Sequence, residues 1–307
     1  MRFGLMSGAS MTGVTVDSIV TLAKRAEAAG FASLWMAHIR SIDAIAALGV
    51  AGRETSRIEL GTAVTPTYPR HPMAMAQQAL TTAQLCGQRF VLGIGLSHQR
   101  VVEGMLGLSY AQPVRHMREY LSVLRPLLRG EMVNFEGELY RIANLQIDVP
   151  GVVDVPVVVA ALGEQMLRLT GRVADGTSTW MTGPQTLATH IRPTLAAAAA
   201  AAGRPVPRII AGLPIVLTDE VDAAREKIAR SLAIYGQLPS YRAMLEREGH
   251  RGPGDAALVG DEAQLREQLL RLRDAGVTDF NASIAEVDPG AFDRTFDFLA
   301  AVRGEFA

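Results

Sequence analysis

Eight short apolar runs alternate with longer helix-forming stretches, and this alternation constrains the fold more than any other feature of the sequence. Strands are predicted over residues 2–6, 31–36, 57–63, 90–94, 155–160, 176–179, 208–216 and 278–283. Helices are predicted over residues 16–29, 41–52, 72–85, 112–128, 164–173, 184–202, 219–235 and 289–302. Strands that alternate with helices form a parallel sheet, and eight repeats predict its closure into a (β/α)8 TIM barrel of the α/β class. The runner-up is a doubly wound open sheet, which usually carries a Gly-rich fingerprint after its first strand; the segment SGASMTG lacks that spacing.

The length of the chain fits one barrel with insertions. A chain of 307 residues exceeds the typical barrel of about 250 residues. Two insertions account for the additional residues. Residues 130–151 are predicted to form a hairpin-like insertion, and residues 236–260 a helical insertion. Insertions at the carboxyl ends of strands commonly build the lid and the substrate pocket. We therefore expect a single domain spanning residues 1–307.

The composition excludes several classes of function. The 30 basic and 31 acidic side chains give a net charge of -1, whereas proteins that bind nucleic acids or membrane surfaces carry a basic patch. The single cysteine, Cys86, excludes an internal disulfide and fits a reducing cytoplasm. The first residues read as a strand and not as a signal peptide, and the longest apolar tract, 195–202, is too short to span a bilayer. No histidine pair has the spacing of a metal site, so no metal is expected.

The third and fourth strands end in segments that suggest an active-site mouth. The third begins the segment RIELGTAVTPTYPRHP, in which three prolines stop the strand and small residues would let a flat ring approach the backbone. The alternative is an ordinary loop with rigid turns. The fourth ends in GIGLSH, in which Ser97 and His98 offer polar groups. This segment has two of the three glycines of a dinucleotide motif, which alone is a weak signal.

The fifth strand runs into a helix through Ala160, Ala161, Leu162 and Gly163. Small residues at the start of a helix expose unpaired N–H groups and the positive end of the helix dipole, which together bind anions. The phosphate of a cofactor tail is the expected occupant. The alternative is a tight turn capped by Glu164.

Histidines and aromatic residues at other strand ends supply the remaining candidates. His38 and His98 follow two strands in equivalent places and could exchange protons near neutral pH. Trp180, Tyr68 and Tyr235 could form an apolar substrate pocket, which would disfavour a highly charged substrate. The alternative for these aromatic residues is packing beneath the insertions.

Three further segments extend the likeness to a known family: AKRAEAAGFASLWMAH, VVVAALGEQMLRLTGRVADGTSTW and LREQLLRLRDAGVTDF. Together with the RHP and TWMTGP segments, they make the chain resemble the luciferase-like flavin and deazaflavin oxidoreductases. Within that superfamily it is most similar to the actinobacterial branch that uses coenzyme F420, a deazaflavin. The resemblance covers nearly the whole chain, and relatives are often homodimers.

The resemblance implies roles for particular positions. A non-proline cis peptide that backs the deazaflavin ring falls on Thr62-Ala63 or Ala63-Val64, and Thr65 hydrogen-bonds near the ring. Leu96, Ser97 and His98 match the loop that flanks the ring and the cofactor tail. The residues whose backbone N–H groups hold the F420 phosphate match Ala160, Ala161, Leu162 and Gly163.

His38 matches a histidine that is an acid–base group in sugar-phosphate dehydrogenase relatives, but the surrounding positions differ. Those relatives have an Asp where this chain has Ala37, and an acidic residue where it has His98. Their phosphate-binding lysine is absent from residues 180–185. A sugar phosphate is therefore a poor candidate substrate.

The expected function is an F420-dependent oxidoreductase that passes a hydride between the deazaflavin and a mostly apolar organic small molecule. The alternatives are an FMN-dependent luciferase-like monooxygenase on the same barrel, and a non-catalytic relative that binds deazaflavin without turnover.

Overall fold

The computed structural model describes residues 1–7, 13–152 and 154–306. Twelve strands are present in this part of the chain: β1 (Arg2–Ser7), β2 (Ser33–Met36), β3 (Glu59–Thr62), β4 (Thr65–Pro66), β5 (Phe90–Gly95), β6 (Val133–Glu136), β7 (Arg141–Leu145), β8 (Val157–Ala160), β9 (Gly176–Trp180), β10 (Arg208–Leu217), β11 (Leu258–Gly260) and β12 (Asp279–Ile284). The α-helices are α1 (Val16–Ala28), α2 (Ala44–Arg53), α3 (Pro72–Leu85), α4 (Gln99–Gly104), α5 (Pro113–Leu128), α6 (Glu164–Val173), α7 (Pro184–Thr186), α8 (Arg192–Ala201), α9 (Val221–Ser231), α10 (Pro239–Glu248), α11 (Glu262–Asp274) and α12 (Ala291–Val302).

Eight of the strands close into a parallel barrel. The order around it is β1, β2, β3, β5, β8, β9, β10 and β12, and β12 pairs with β1 to complete the ring. Because all neighbours are parallel, the carboxyl ends of the strands meet at one end of the barrel, which we call the mouth. The predicted (β/α)8 barrel is confirmed.

The predicted helices differ from the structure where proline or a turn intervenes. Helices α3 and α6 have the predicted bounds. The helix predicted over residues 184–202 is divided by a π-helical turn, Leu187–Ile191, just before Pro193. Proline lacks the N–H that would continue the i→i−4 pattern and its ring crowds the preceding turn, so the backbone widens there. The helix predicted to reach residue 235 ends at Ser231, and a 3₁₀ turn follows.

The end of the barrel opposite the mouth is closed by paired charges. Asp279, 2% exposed, accepts hydrogen bonds from Arg2 Nε (2.6 Å) and from Arg208 Nη2 (2.8 Å). Glu59 accepts from the same arginines, at 3.0 Å from Arg2 and 2.7 Å from Arg208. Each carboxylate therefore faces two guanidinium groups, and we call these four side chains the charged plug.

An apolar layer lies above the charged plug inside the barrel. Trp35 is fully buried there against Val91, Val158 and Ile210. A Cβ atom on Gly61 would lie 2.4 Å from the Trp35 ring, so only glycine leaves room for the indole on the neighbouring strand.

A carboxylate helps to anchor each of the two stretches that exceed a minimal barrel. In residues 130–151, β6 and β7 form an antiparallel hairpin, whose turn donates backbone N–H groups to Glu119 from Leu139 (2.9 Å) and Tyr140 (3.2 Å). In residues 236–260, Glu248 at the end of α10 accepts from the Thr186 N–H (2.7 Å). Among the described residues, no helix combines the length and the hydropathy that crossing a membrane requires.

Candidate active site

The third barrel strand ends in a bulge at the mouth. Strand β3 stops at Thr62, the peptide bond between Ala63 and Val64 is cis, and β4 then resumes the pairing with β5. This is the second of the two registers that the resemblance implied. The Thr62 hydroxyl donates to the Gly93 carbonyl (2.7 Å) and accepts from the Gly93 N–H (2.9 Å). Thr62 therefore joins the end of β3 to β5. Its hydroxyl makes both of these hydrogen bonds with the Gly93 backbone.

Small residues next to the bulge form a shallow shelf. A Cβ atom on Gly95 would lie 2.6 Å from Val64 Cγ2 and 3.2 Å from Ala160 Cβ, so these three residues meet at one place. Thr65 is fully buried, and its Oγ1 has no hydrogen-bond partner among the described residues. A buried hydroxyl without a partner costs free energy unless a ligand or water satisfies it, so the shelf has an unmet polar contact.

The start of α6 lies beside this shelf. Gly163 is the N-cap residue and no side chain caps the helix. A Cβ atom on Gly163 would meet nothing within 4 Å, so the space in front of the helix is open. The Leu162 carbonyl accepts a hydrogen bond from His190 Nε2 (2.8 Å), which fixes the turn, while Ala161 is buried beneath it. The uncapped N–H groups of the first turn can therefore bind an anion.

The segment that follows β5 forms another side of the mouth. Leu96, Ser97 and His98 are half-buried, and Ser97 has a left-handed backbone conformation with φ 61°. The His98 imidazole lies edge-on to the Tyr241 ring at 5.8 Å between centroids. Burial lowers the pKa of His98, and no hydrogen bond to its ring joins it to the described residues.

An aromatic wall extends from His98 across the mouth. Tyr241 packs against Tyr235 at 5.1 Å, and Tyr235 packs against Trp180 at 6.1 Å. The Trp180 ring lies over Gly212, where a Cβ atom would be 3.1 Å from Cε3. Its Nε1 is buried without a partner among the described residues. His98, Tyr241, Tyr235 and Trp180 thus form one continuous surface, which we call the aromatic wall, with an unmet hydrogen-bond donor at one end.

His38 occupies a more enclosed environment than His98. Its side chain is 12% exposed. The Ala44 N–H points at Nδ1 (3.3 Å), and Arg70 Nη2 lies 3.2 Å from Nε2. Arg70 also donates to Asp43 Oδ2 (2.7 Å). Burial and the Arg70 charge lower the pKa of His38, and the Asp43 charge opposes them.

Tyr68 belongs to a different cluster from Trp180 and Tyr235. It stacks on His116 at 4.0 Å between centroids with the planes 5° apart, and on Tyr110 at 5.3 Å. The stack borders a pocket of about 290 Å³ that is also lined by Leu108 and Tyr140. The structure therefore brings Trp180 and Tyr235 together and leaves Tyr68 outside the aromatic wall.

Several residues at the site were not predicted from the sequence. Asp43 and Arg70 contact His38, and the signal for them was local: Asp43 is the N-cap of α2, and Arg70 precedes His71 and Pro72 at the start of α3. Ser178 is half-buried and precedes Trp180 by two positions, so both lie on the same face of β9. The alternation of side chains along a strand was enough to find it.

These features fit a planar heteroaromatic group with an anionic tail. The shelf at Val64, Gly95 and Ala160 would contact a ring face, and the Thr65 hydroxyl and the Trp180 N–H offer unmet polar contacts. The start of α6 would hold the anion. Within residues 1–7, 13–152 and 154–306, no cluster of His, Cys, Asp or Glu has the geometry of a metal site.

Known proteins match this chain in sequence and in fold. The model of the luciferase-like monooxygenase family matches residues 1–279. A 5,10-methylenetetrahydromethanopterin reductase of Methanolobus tindarius is 30% identical over 71% of this chain and 67% of its own. A putative coenzyme F420-dependent oxidoreductase of Mycobacterium tuberculosis is 29% identical over 92% of this chain and 93% of its own. The solved coenzyme F420-dependent tetrahydromethanopterin reductase of Methanopyrus kandleri superposes with a TM-score of 0.80, at 21% identity over 97% of each chain.

Proposed function

The chain belongs to the luciferase-like monooxygenase family of oxidoreductase enzymes, and we propose that it uses coenzyme F420 to transfer a hydride to or from a mostly apolar organic substrate. The observation that carries the proposal is the shelf beside the Ala63-Val64 bulge, adjoining the uncapped start of α6. A ring and an anionic tail need these two features side by side. The relatives named for F420 support a deazaflavin as the ring.

In this proposal, the residues of the mouth have distinct tasks. Val64, Gly95 and Ala160 support one face of the ring, and the Thr65 hydroxyl hydrogen-bonds to its edge. The backbone N–H groups after Gly163 bind the phosphate of the tail. The bound deazaflavin supplies the two-electron chemistry, and the protein supplies position, electrostatics and a place for the proton.

His98 is the group that we assign to the proton. When a substrate alcohol loses a hydride, its hydroxyl proton must also leave, and a neutral imidazole can accept it. Burial lowers the pKa of His98, which keeps the ring neutral near pH 7 and ready to act as the base. In the reverse direction the imidazolium returns the proton.

The aromatic wall supports an apolar substrate. Trp180, Tyr235 and Tyr241 present rings to the mouth, and the wall contains no carboxylate, Lys or Arg. Such a surface binds apolar or aromatic groups through burial and ring contacts. The Trp180 N–H and the half-buried Ser178 could orient one polar group of the substrate.

Calorimetric titration tests the cofactor. We expect F420 to bind with a dissociation constant in the micromolar range or below, and FMN at least tenfold more weakly. Oxygen uptake with reduced FMN compared with reduced F420 separates the monooxygenase alternative. Binding of FMN alone, with rapid oxygen uptake, would contradict the proposal; F420 binding without turnover of any alcohol or carbonyl compound would favour a binding protein. The homodimer and the cytoplasmic location stay predictions.

The variant His98→Gln tests the proton assignment. Loss of a general base typically slows an enzyme by 10²–10⁴-fold, so we expect kcat to fall about 100-fold while the dissociation constant of F420 changes less than about twofold. The exposed neighbour Gln99 provides the matched control, Gln99→Ala, which should retain wild-type turnover. Unchanged kcat in His98→Gln would reject the assignment.

A further inference from the structure

Each ring nitrogen of His38 faces a hydrogen-bond donor of the protein. Nδ1 faces the Ala44 N–H at 3.3 Å, which is the first N–H of α2, and Nε2 faces Arg70 Nη2 at 3.2 Å. Both of these groups are donors. A neutral imidazole has one acceptor nitrogen, and an imidazolium has none, because both of its nitrogens carry protons. The neutral ring can therefore accept a hydrogen bond from one of the two donors, whereas the protonated ring could accept from neither and would place an N–H group against a donor on each side.

The guanidinium that faces His38 is itself fixed. Arg70 Nη2 donates to Asp43 Oδ2 at 2.7 Å, and Asp43 Oδ1 accepts from the Ala46 N–H at 3.0 Å as the N-cap of α2. The Tyr120 hydroxyl donates to the Arg70 carbonyl at 3.1 Å. The Arg70 side chain is 19% exposed, so its charge is little screened by water. Arg70 cannot lose its proton in a protein, so this contact stays positive at every pH of interest.

Arg70 and Asp43 are the charged groups that shift the pKa of His38. Asp43 Oδ2 lies 4.0 Å from Nε2, farther than the Arg70 nitrogen, and its lone pairs are directed to Arg70 and to the start of α2. Arg40 lies two positions along the same loop, with its Nη1 4.0 Å from Met105 Sδ. The positive end of the α2 dipole also faces Nδ1. The balance of these groups opposes a charge on the ring.

We propose that Arg70 is a positioning residue that holds His38 as a fixed, neutral imidazole, and that His38 orders the wall of the mouth without taking part in proton transfer. The clamp, defined as Asp43, Arg70 and His38, ties the loop after β2 to the start of α3. His98, whose ring has no such partners among the described residues, is then the histidine left to exchange protons. The kinetic part of this inference rests on the proposed function; the structural part does not.

The first test needs no cofactor. Long-range proton–nitrogen NMR spectra of the uniformly ¹⁵N-labelled protein report the tautomer and the titration of each imidazole, and His38→Gln assigns the signals. We expect His38 to titrate below the ordinary range of histidine. In Arg70→Gln its titration should move to higher pH, and in Asp43→Asn to lower pH. Arg118→Gln, an exposed arginine on the outer face of α5, should change neither.

Two results would overturn the clamp: an ordinary titration of His38 in the wild type, or the same titration in Arg70→Gln and the wild type. If circular dichroism shows that Arg70→Gln is unfolded, the titration of His38 is measured in Arg70→Lys and Asp43→Asn instead. Lysine retains the positive charge, so Arg70→Lys should leave the pKa of His38 lowered. Lysine lacks the planar guanidinium that fixes the imidazole, so the NMR signals of His38 should broaden.

The second test is the pH profile of kcat. We expect His38→Gln to lower kcat by less than about tenfold, below the usual contribution of an acid–base group, and to keep the acidic limb of the profile; His98→Gln should remove that limb. Loss of the limb in His38→Gln would refute the inference. Failure of F420 to bind would refute the proposed function instead. The NMR titration of His38 would still test the clamp, because it is measured without the cofactor.

Discussion

The two ends of the barrel use polar side chains in opposite ways. At the closed end, Asp279 and Glu59 each accept hydrogen bonds from Arg2 and Arg208, so every charge has a partner. At the mouth, Thr65 Oγ1 and Trp180 Nε1 are buried without one. Buried polar groups in native proteins are normally satisfied. The contrast indicates that the closed end is built for stability and the mouth for a ligand.

The substitution Asp279→Asn should have the largest effect and should act on stability alone. It replaces one of the two carboxylates that face Arg2 and Arg208 by an uncharged amide and leaves both guanidinium groups to Glu59; breaking a buried ion pair from one side typically costs about 3–5 kcal/mol. We expect a loss of that size in urea unfolding, with F420 affinity per folded molecule unchanged. Ser283→Ala, on the mouth end of the same strand, should stay within about 0.5 kcal/mol of the wild type. Equal losses in the two variants would remove the contrast between the ends.

The two ends should also lose stability in different pH windows. Near the mouth, His116 stacks on Tyr68, and burial lowers its pKa to about 4, although Glu119 opposes the shift. The unfolded chain then binds a proton as the pH falls below 6.5, and the folded chain only near 4, so the free energy of unfolding decreases by roughly 3 kcal/mol as the pH falls across that interval.

At the opposite end, burial would raise the pKa of Glu27, but the N–H groups of Ile58, Arg57 and Ser56 outweigh it and lower the pKa to about 2. The stabilisation by this carboxylate is complete above pH 4.5 and is lost as the pH falls towards 2. Unfolding free energies of His116→Gln should lack the pH dependence between 6.5 and 4, and those of Glu27→Gln the dependence below 4.5. A shared window for both variants would contradict the assignment.

The substitution Gly95→Ala should have the smallest effect and should act at the mouth alone. The added methyl group meets Val64 Cγ2 at 2.6 Å, which pushes the Val64 side chain into the space assigned to the ring. We expect F420 affinity to fall about tenfold, which corresponds to about 1.4 kcal/mol, with thermal stability nearly unchanged. Gly104→Ala, whose Cβ would meet nothing within 4 Å, is the matched control for an added methyl group in the adjoining segment. An unaltered affinity of Gly95→Ala for F420 would show that the ring does not bind at the shelf.

The sequence predicted those parts of the molecule that depend on local pattern. The alternation of strands and helices determined the barrel, and the small residues around Ala63 and Gly163 located the shelf and the uncapped helix. Side-chain partners that are distant in sequence could not be found this way. The contact between His38 and Arg70 joins two loops 32 positions apart. Tyr68 was expected beside Trp180, but a planar stack with His116 on α5 gave it a partner that periodicity does not reveal.

The chain has two tryptophans, and the barrel places them in contrasting surroundings. Trp35 is sealed in the interior, with its Nε1 donating to Ser33 Oγ at 2.9 Å, whereas Trp180 is half-buried at the mouth. Under ultraviolet excitation, the first indole should emit at short wavelength whatever occupies the mouth, and the second should respond to each molecule that enters it. The protein therefore carries both a reference and a reporter fluorophore, so occupancy of the mouth can be read from a ratio of two emission bands without attaching a dye.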